Sequence, residues 1–351
     1  MIRRHAILIA GLVTTVVAGV LHTTVSDTAG TIAASIPLVL VAPIVAQGTD
    51  ALRGRLSPSV VGIVQSGFGN VAELAITLLA LRANLPEVVK LAIVGSLLGN
   101  AILLGGLSGL LPPIRGGFSA TLCFDRRLFS GIATLGMIAF IPMAILSVPS
   151  DLLSGDRPGV SLAAGIALTI VGVLFIVMEI KAPHMPAEQT HEPSAHSFRT
   201  GLIYLAIGGG MAAVTAEWFV AGFEPAAEAI GIPIAFASLV IIPLLGNVAE
   251  NYVALRYAWA GDGDSAMSVI MHSVVQIALL MTGILVIASW FIGRNPLSLA
   301  LDPVLAVSLG LALLVLWMIL SDGEMQPVEA VGLIAVYTIL AAAIWAEGSL
   351  V

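Results

Sequence analysis

The sequence predicts an all-α integral membrane protein of about eleven transmembrane helices, one extra N-terminal helix followed by two inverted-topology five-helix repeats. Three observations predict this. Hydrophobic residues fill 58% of 351 positions and charged residues only 10%, with a mean hydropathy of +1.06. A soluble chain of this size needs more charged surface than that. Apolar windows long enough to cross a bilayer recur along nearly the whole chain. One five-residue phrase also occurs twice inside such windows, as Gly69-Asn70-Val71-Ala72-Glu73 and Gly246-Asn247-Val248-Ala249-Glu250.

The windows fall at approximately 6–22, 31–52, 58–82, 87–110, 128–148, 159–180, 201–222, 232–257, 264–291, 302–321 and 326–346. Arg3-Arg4 before the first window resembles the start of a secretory signal, but no small-x-small cleavage site precedes Asp27 and more spans follow. The first window therefore reads as a retained helix. Residues 182–199 form a polar linker with Pro183, Pro186, Pro193, His184, His191 and His196, which reads as a cytoplasmic tether. The expected organisation is an extra helix at 1–28, a first repeat at 29–181, the linker at 182–199 and a second repeat at 200–351.

Basic residues set the orientation. With the N-terminus inside, the inner side collects Arg3, Arg4, Arg53, Arg55, Arg115, Arg126, Arg127, Lys181, Arg199 and Arg256. The outer side holds Arg82, Arg157 and Arg294, with Lys90 near the start of the fourth span. That bias places the N-terminus in the cytoplasm and the C-terminus outside. Five spans is an odd number, so the second block crosses the membrane in the opposite sense to the first, as in secondary transporters with a midplane site. Spacing agrees: Glu73 precedes Ser96 by 23 residues, and Glu250 precedes Ser273 by 23.

A carboxylate at membrane depth is costly, and so marks a functional site by default. Asn and Glu three apart share one helix face. Gly67 and Gly69 precede the first pair, and Pro243 and Gly246 the second; such residues loosen a helix and free carbonyls for a cation. Carboxylates, amide oxygens and carbonyls make an all-oxygen set suited to a hard cation, Ca²⁺ above all. The lone Cys123 excludes an intrachain disulfide and any Cys-based metal site. The bland alternative is that each Glu only bonds a neighbouring helix.

Charge counting favours exchange. Two glutamates with one Ca²⁺ sum to zero, and so do two protonated glutamates, whereas the empty ionised pair carries two negative charges. At about 2.5–3.5 kcal/mol per mid-membrane charge, that empty state is disfavoured by about 5–7 kcal/mol. Metal and protons then occupy the same oxygens in turn.

The paired motifs are not isolated. Together with Val88-Val89-Lys90 through Gly95-Ser96-Leu97-Leu98-Gly99-Asn100, Pro243–Glu250, Ser273 through Gln276-Ile277-Ala278-Leu279, and Leu320-Ser321-Asp322-Gly323, they make the chain resemble the calcium/proton exchanger family of the calcium/cation antiporter superfamily. The resemblance covers nearly the whole chain. It implies cation and proton binding by Glu73 and Glu250, helped by Asn70, Asn247, Ser96, Asn100, Ser273 and Gln276. It also implies roles in the ion or proton path for Asp50, in a Thr-acid pair, and for Glu217; the alternatives are ion pairing of Asp50 with Arg53, and capping. The chain departs from the family pattern at Asn251, where a His is usual, at His272, where a Gly is usual, and at Gly99, where a Ser is usual. His272 titrates near neutral pH in its free form and is a candidate for proton transfer, with packing as the other reading.

The expected partners are therefore Ca²⁺ and H⁺, with Na⁺ or K⁺ as alternatives, in a lipid surround, with Ca²⁺ as transported ion and no cofactor. A homo-oligomer stays open. A bacterial inner (plasma) membrane is the expected location, with a vacuolar membrane the alternative. No block is basic enough for nucleic acid. An enzyme would need a nucleophile with its base, or a metal triad, at one depth, and a channel would need a polar ring; neither pattern is present. Trp218, Trp259, Trp290, Trp317 and Trp345 read as interfacial anchors. Gly95-x-x-x-Gly99 and Gly105-Gly106 read as close-packing sites.

Overall fold

The computed structural model describes residues 2–52, 58–117, 120–148, 158–181 and 198–348. Residues 182–197 of the tether, with its histidines, and Arg53, Arg55 and Arg157 lie outside the described residues, and the helix that follows begins at Phe198 rather than after 199. Within them, nine helices are long and apolar enough to span a membrane: Ala6–Thr24, Asp27–Leu52, Pro86–Gly116, Arg126–Ser147, Pro158–Lys181, Phe198–Ala221, Gly263–Ile292, Pro303–Asp322 and Pro327–Gly348. Two further spans are each broken, Ile63–Gly69 with Val71–Arg82 bent by 40°, and Ile234–Gly246 with Val248–Ala260 bent by 63°. All eleven expected windows are helical.

Loop contacts sort the helix ends into two groups. At one end, residues Leu122–Cys123 and Glu324–Met325 pair antiparallel as a two-stranded ladder. There Asp125 N–H donates to Asp264 Oδ1 at 2.6 Å and Arg115 donates to the Trp259 carbonyl at 2.8 Å. At the opposite end, the loop after Ile292 is stitched down by backbone N–H groups: Leu297 to Ser289, Leu299 to Ser161 and Leu301 to Ser147. Every helix in these contacts ends where an alternating path through a bilayer requires.

The inversion is visible in the longest packing seam. Asp27–Leu52 and Phe198–Ala221 run antiparallel: Thr31 Oγ1 donates to the Trp218 and Phe219 carbonyls at one end, while Gly48 meets Gly201 at the other. Gly208 presses on Val45 in between, where a Cβ would lie 2.9 Å from its Cγ2. Small residues allow this approach in a membrane, where packing rather than hydrophobicity drives helix association. The first span stands outermost, with only 11% of its apolar window buried.

Gly95 and Gly106 also pack closely, against the Leu239 carbonyl and against Ala330 with Leu333. Gly99 does not: no atom lies within 4 Å of where its Cβ would be, and it lines a cavity. The small side chain there leaves space, not contact.

Candidate functional site

Both motif spans break at the motif asparagine. Helix Pro58–Gly69 stops, Asn70 follows, and Val71–Arg82 begins; Ile242–Gly246 stops, Asn247 follows, and Val248–Ala260 begins. Each Glu thus sits in the first turn of a new half-helix, beside backbone N–H groups that no longer pair within a helix. The neighbouring long spans each loosen into a π-helical turn, Gly99–Leu104 in one and Gln276–Met281 in the other. These turns stand at the same place in each repeat, just after Ser96 and just after Ser273, and π-turns concentrate at functional sites.

The breaks bring the two motifs together. A Cβ at Gly246 would lie 2.8 Å from Glu73 Cβ, and one at Gly69 would collide with the Glu250 carboxylate. Each motif glycine therefore supplies the floor for the other repeat's glutamate. Glu73 and Glu250 are both 0% exposed, and Asn70, Asn247, Ser96, Asn100, Ser273 and Gln276 are buried with them.

Hydrogen bonds link these residues across the repeats. Asn247 Nδ2 donates to Ser96 Oγ at 3.0 Å, and Ser96 in turn donates to Glu73. Asn100 Nδ2 donates to Ser273 Oγ at 2.9 Å. Asn70 Nδ2 donates to Ser66 Oγ at 3.2 Å, and Gln276 Nε2 reaches the Ile63 carbonyl at 3.4 Å. In both motif asparagines the amide nitrogen donates while the amide oxygen has no donor.

Five oxygens in this cluster are buried without any donor: Asn70 Oδ1, Glu73 Oε2, Asn247 Oδ1 and both carboxylate oxygens of Glu250. Buried polar atoms are nearly always satisfied, and each orphan calls for an explanation. A concentration of orphan acceptors with no orphan donors among them is what a hard cation or added protons would satisfy. Among the described residues no three His, Cys, Asp or Glu side chains gather in one place. The oxygen count is completed by amides and hydroxyls instead.

The two halves are not identical. Glu73 accepts from Ser96, whereas Ser273 accepts from Asn100 and Glu250 has no donor. The residue opposite Gln276 in the first repeat is Gly99, which supplies no side chain.

The remaining expected residues lie apart. His272 donates or accepts through Nδ1 with the Ser268 carbonyl at 2.8 Å, and its ring rests 5.9 Å from that of Phe175. That places its contacts on the flank facing Pro158–Lys181. Asp50 pairs with Arg256 through two bonds of 2.7 and 2.5 Å, a partner the sequence did not propose. Glu217 is exposed. Thr49, beside Asp50, donates to Gln65 of the first motif span, a link with no sequence signal beyond burial of both.

Below the carboxylates a cavity of about 210 Å³ runs between the motif and long spans. Ser96, Asn100, Asn247, Asn251 and Tyr337 line it, and Leu107 and Leu255, nearer the ends of their helices, mark its lower part. The lower part points toward the end of the bundle that carries Arg115 and the two-stranded ladder.

Two inverted repeats thus break their helices around two buried carboxylates at the centre of a membrane-spanning bundle. Residues 200–346 match the family described as sodium/calcium exchanger protein. The chain is 28% identical over 345 residues to the Ca(2+)/H(+) antiporter of Synechocystis, covering 91% of each. It is 27% identical to the Ca(2+)/H(+) antiporter ChaA of Bacillus subtilis, covering 87% of this chain and 89% of that one. Among solved structures, native YfkE superposes with a TM-score of 0.77 at 24% identity, over 97% of this chain and 99% of that one. The H+/Ca2+ exchanger CAX also gives 0.77, at 15% identity, over 99% and 92%. Over most of its length the chain is thus similar in sequence to calcium/proton antiporters, and its fold is similar to that of the solved exchangers.

Proposed function

We propose that the chain is a Ca²⁺/H⁺ antiporter that works by alternating access at a midplane site built on Glu73 and Glu250. One observation carries the reading: two buried carboxylates lie in reciprocal seats, and their cluster holds five oxygens without donors. A dication satisfies those oxygens and cancels both charges; two protons cancel the same charges. The empty ionised site carries two negative charges with no compensation, and at about 2.5–3.5 kcal/mol for each it rarely crosses between faces. Exchange is then obligatory. Asn70, Asn247, Ser96, Asn100, Ser273 and Gln276 complete or orient the oxygen set.

The movement is a sliding of one helix group against the rest. The small-residue seam between Asp27–Leu52 and Phe198–Ala221 favours that reading, because glycines let two helices translate without rotamer clashes. The excess of basic residues at the Arg115 end supports a cytoplasmic placement of that end, and a bacterial inner membrane fits the named bacterial relatives.

The competing reading is sodium/calcium or monovalent-cation/proton exchange on the same fold. Proteoliposomes loaded at low pH and diluted into neutral buffer with ⁴⁵Ca²⁺ test both. The expected result is calcium uptake that collapses with the pH gradient and survives excess Na⁺ or K⁺. Uptake that follows a Na⁺ gradient with no pH gradient would select the competing reading.

A further inference from the structure

Tyr337 belongs to the last span, Pro327–Gly348, whose apolar window is only 17% buried. Ala330, Leu333 and Tyr337 are the residues of that helix turned into the protein. Ala330 and Leu333 have an evident reason, since they close on Gly106. Tyr337 does not fill a glycine notch. It lines the cavity beneath the carboxylates together with Asn100 and Asn247. Its hydroxyl is buried and, among the described residues, has no hydrogen-bond partner. A buried phenol hydroxyl usually finds a partner, and leaving it unpaired is destabilising. Phenylalanine would pack as well without that cost.

The cavity offers the missing partner. Its volume exceeds what a few water molecules need, and Leu103, Leu104, Leu107, Leu244 and Leu255 make up much of its wall. A divalent cation approaching the glutamates exchanges its water shell for protein oxygens one at a time, and needs oxygen or water ligands throughout. Tyr337 and Asn251 are the polar groups that face the cavity between its leucines and the Ser96–Asn247 level, and of the two Tyr337 is the one whose hydroxyl is left without a partner.

We propose that Tyr337 is a positioning residue for cation entry from the Arg115 end, where its hydroxyl holds the hydration shell of the incoming ion between the leucines and the Ser96–Asn247 level. The last span, outside the four helices that build the carboxylate site, thereby sets affinity on one face of the membrane. This rests on the Ca²⁺/H⁺ reading above.

The test is Tyr337→Phe in proteoliposomes of known orientation, with KM for Ca²⁺ measured separately on each face. Loss of the hydroxyl is expected to raise KM several-fold on the Arg115 face, leaving kcat and the KM of the opposite face within twofold. Asn251→Cys, on the same cavity and in a Cys123→Ser background, reports access: a charged thiol reagent should label it from the Arg115 face only, and more slowly in Ca²⁺. Equal KM changes on both faces, or no change on either while wild type transports calcium, overturns the proposal for Tyr337 and leaves the glutamate site intact. Labelling from the opposite face also overturns it. Failure of wild type to couple calcium to protons would instead remove the reading on which it rests.

Discussion

Glu73 rests against Gly246, with 2.8 Å from its Cβ to the place a glycine side chain would begin, and the mirror contact joins Glu250 to Gly69. Each repeat thus carries both a buried carboxylate and the socket for its counterpart. The phrase Gly-Asn-x-x-Glu occurs in both repeats, and its glycine and glutamate pack reciprocally across them.

The sockets respond differently to a methyl group. In Gly246→Ala the new atom meets Glu73 at its Cβ and Cα, which belong to the helix start and cannot swing away. Overpacking of this kind costs about 1–3 kcal/mol, so thermal unfolding in detergent should shift down and transport fall about tenfold or more. In Gly69→Ala the collision is with the Glu250 carboxylate, the free end of its side chain. That variant should stay near wild-type stability while KM for Ca²⁺ rises.

Ser96→Ala removes the donor to Glu73 and strands Asn247 Nδ2, which donates to the same hydroxyl at 3.0 Å. Loss of a group that orients a metal ligand typically costs about 10–100-fold in affinity. Ser273→Ala removes only the acceptor for Asn100, and a smaller loss is expected. Comparing the two Ca²⁺ KM values checks the asymmetry between the repeats.

The pH dependence has a fixed sign. If binding of one Ca²⁺ releases protons from the two carboxyls, affinity rises with pH on the cation-loading face and falls as acid refills the site. The slope approaches about two decades of affinity per pH unit where two protons leave, and flattens once both groups are ionised. Calcium KM measured from pH 6 to 9 on one face, at fixed pH on the other, gives that slope.

Asp50 and Arg256 form a bidentate pair with both side chains about a third exposed, at 35% and 36%. Bidentate geometry makes it one of the stronger partly exposed pairs, worth about 1 kcal/mol. Asp50→Asn is expected to leave KM for Ca²⁺ within twofold and lower thermal stability slightly. Glu217→Gln, at an exposed position, is expected to change neither. A tenfold KM change in either variant would bring that acid back into the ion path.

Much of this architecture was legible from hydropathy, since a helix that must satisfy its own backbone in lipid leaves a long apolar run. The eleven windows, the odd repeat and the two motif carboxylates all follow from that and from one duplicated phrase. Glu87 and Lys90, three residues apart on one helix face, form an ion pair at 2.8 Å, a contact that spacing alone allows. Contacts between distant segments were not legible: Arg256 on Asp50 and Gln65 on Thr49 depend on how helices cross, which periodicity does not encode. Gly99 was misread because a glycine that admits a neighbour and one that leaves room for a cavity look alike in sequence. The matched π-turns left no signal either, because five-residue and four-residue hydrogen bonding use the same side chains.

The most direct measurement counts protons released when calcium binds. Titration calorimetry of the detergent-solubilised protein in buffers of different ionisation heat should give more than one proton per Ca²⁺ for wild type near the acid end of the binding range. Glu73→Gln and Glu250→Gln should each cut that number and weaken binding by about 100-fold or more. Calcium that binds both variants as tightly as wild type, or releases no protons at any pH, would contradict the account.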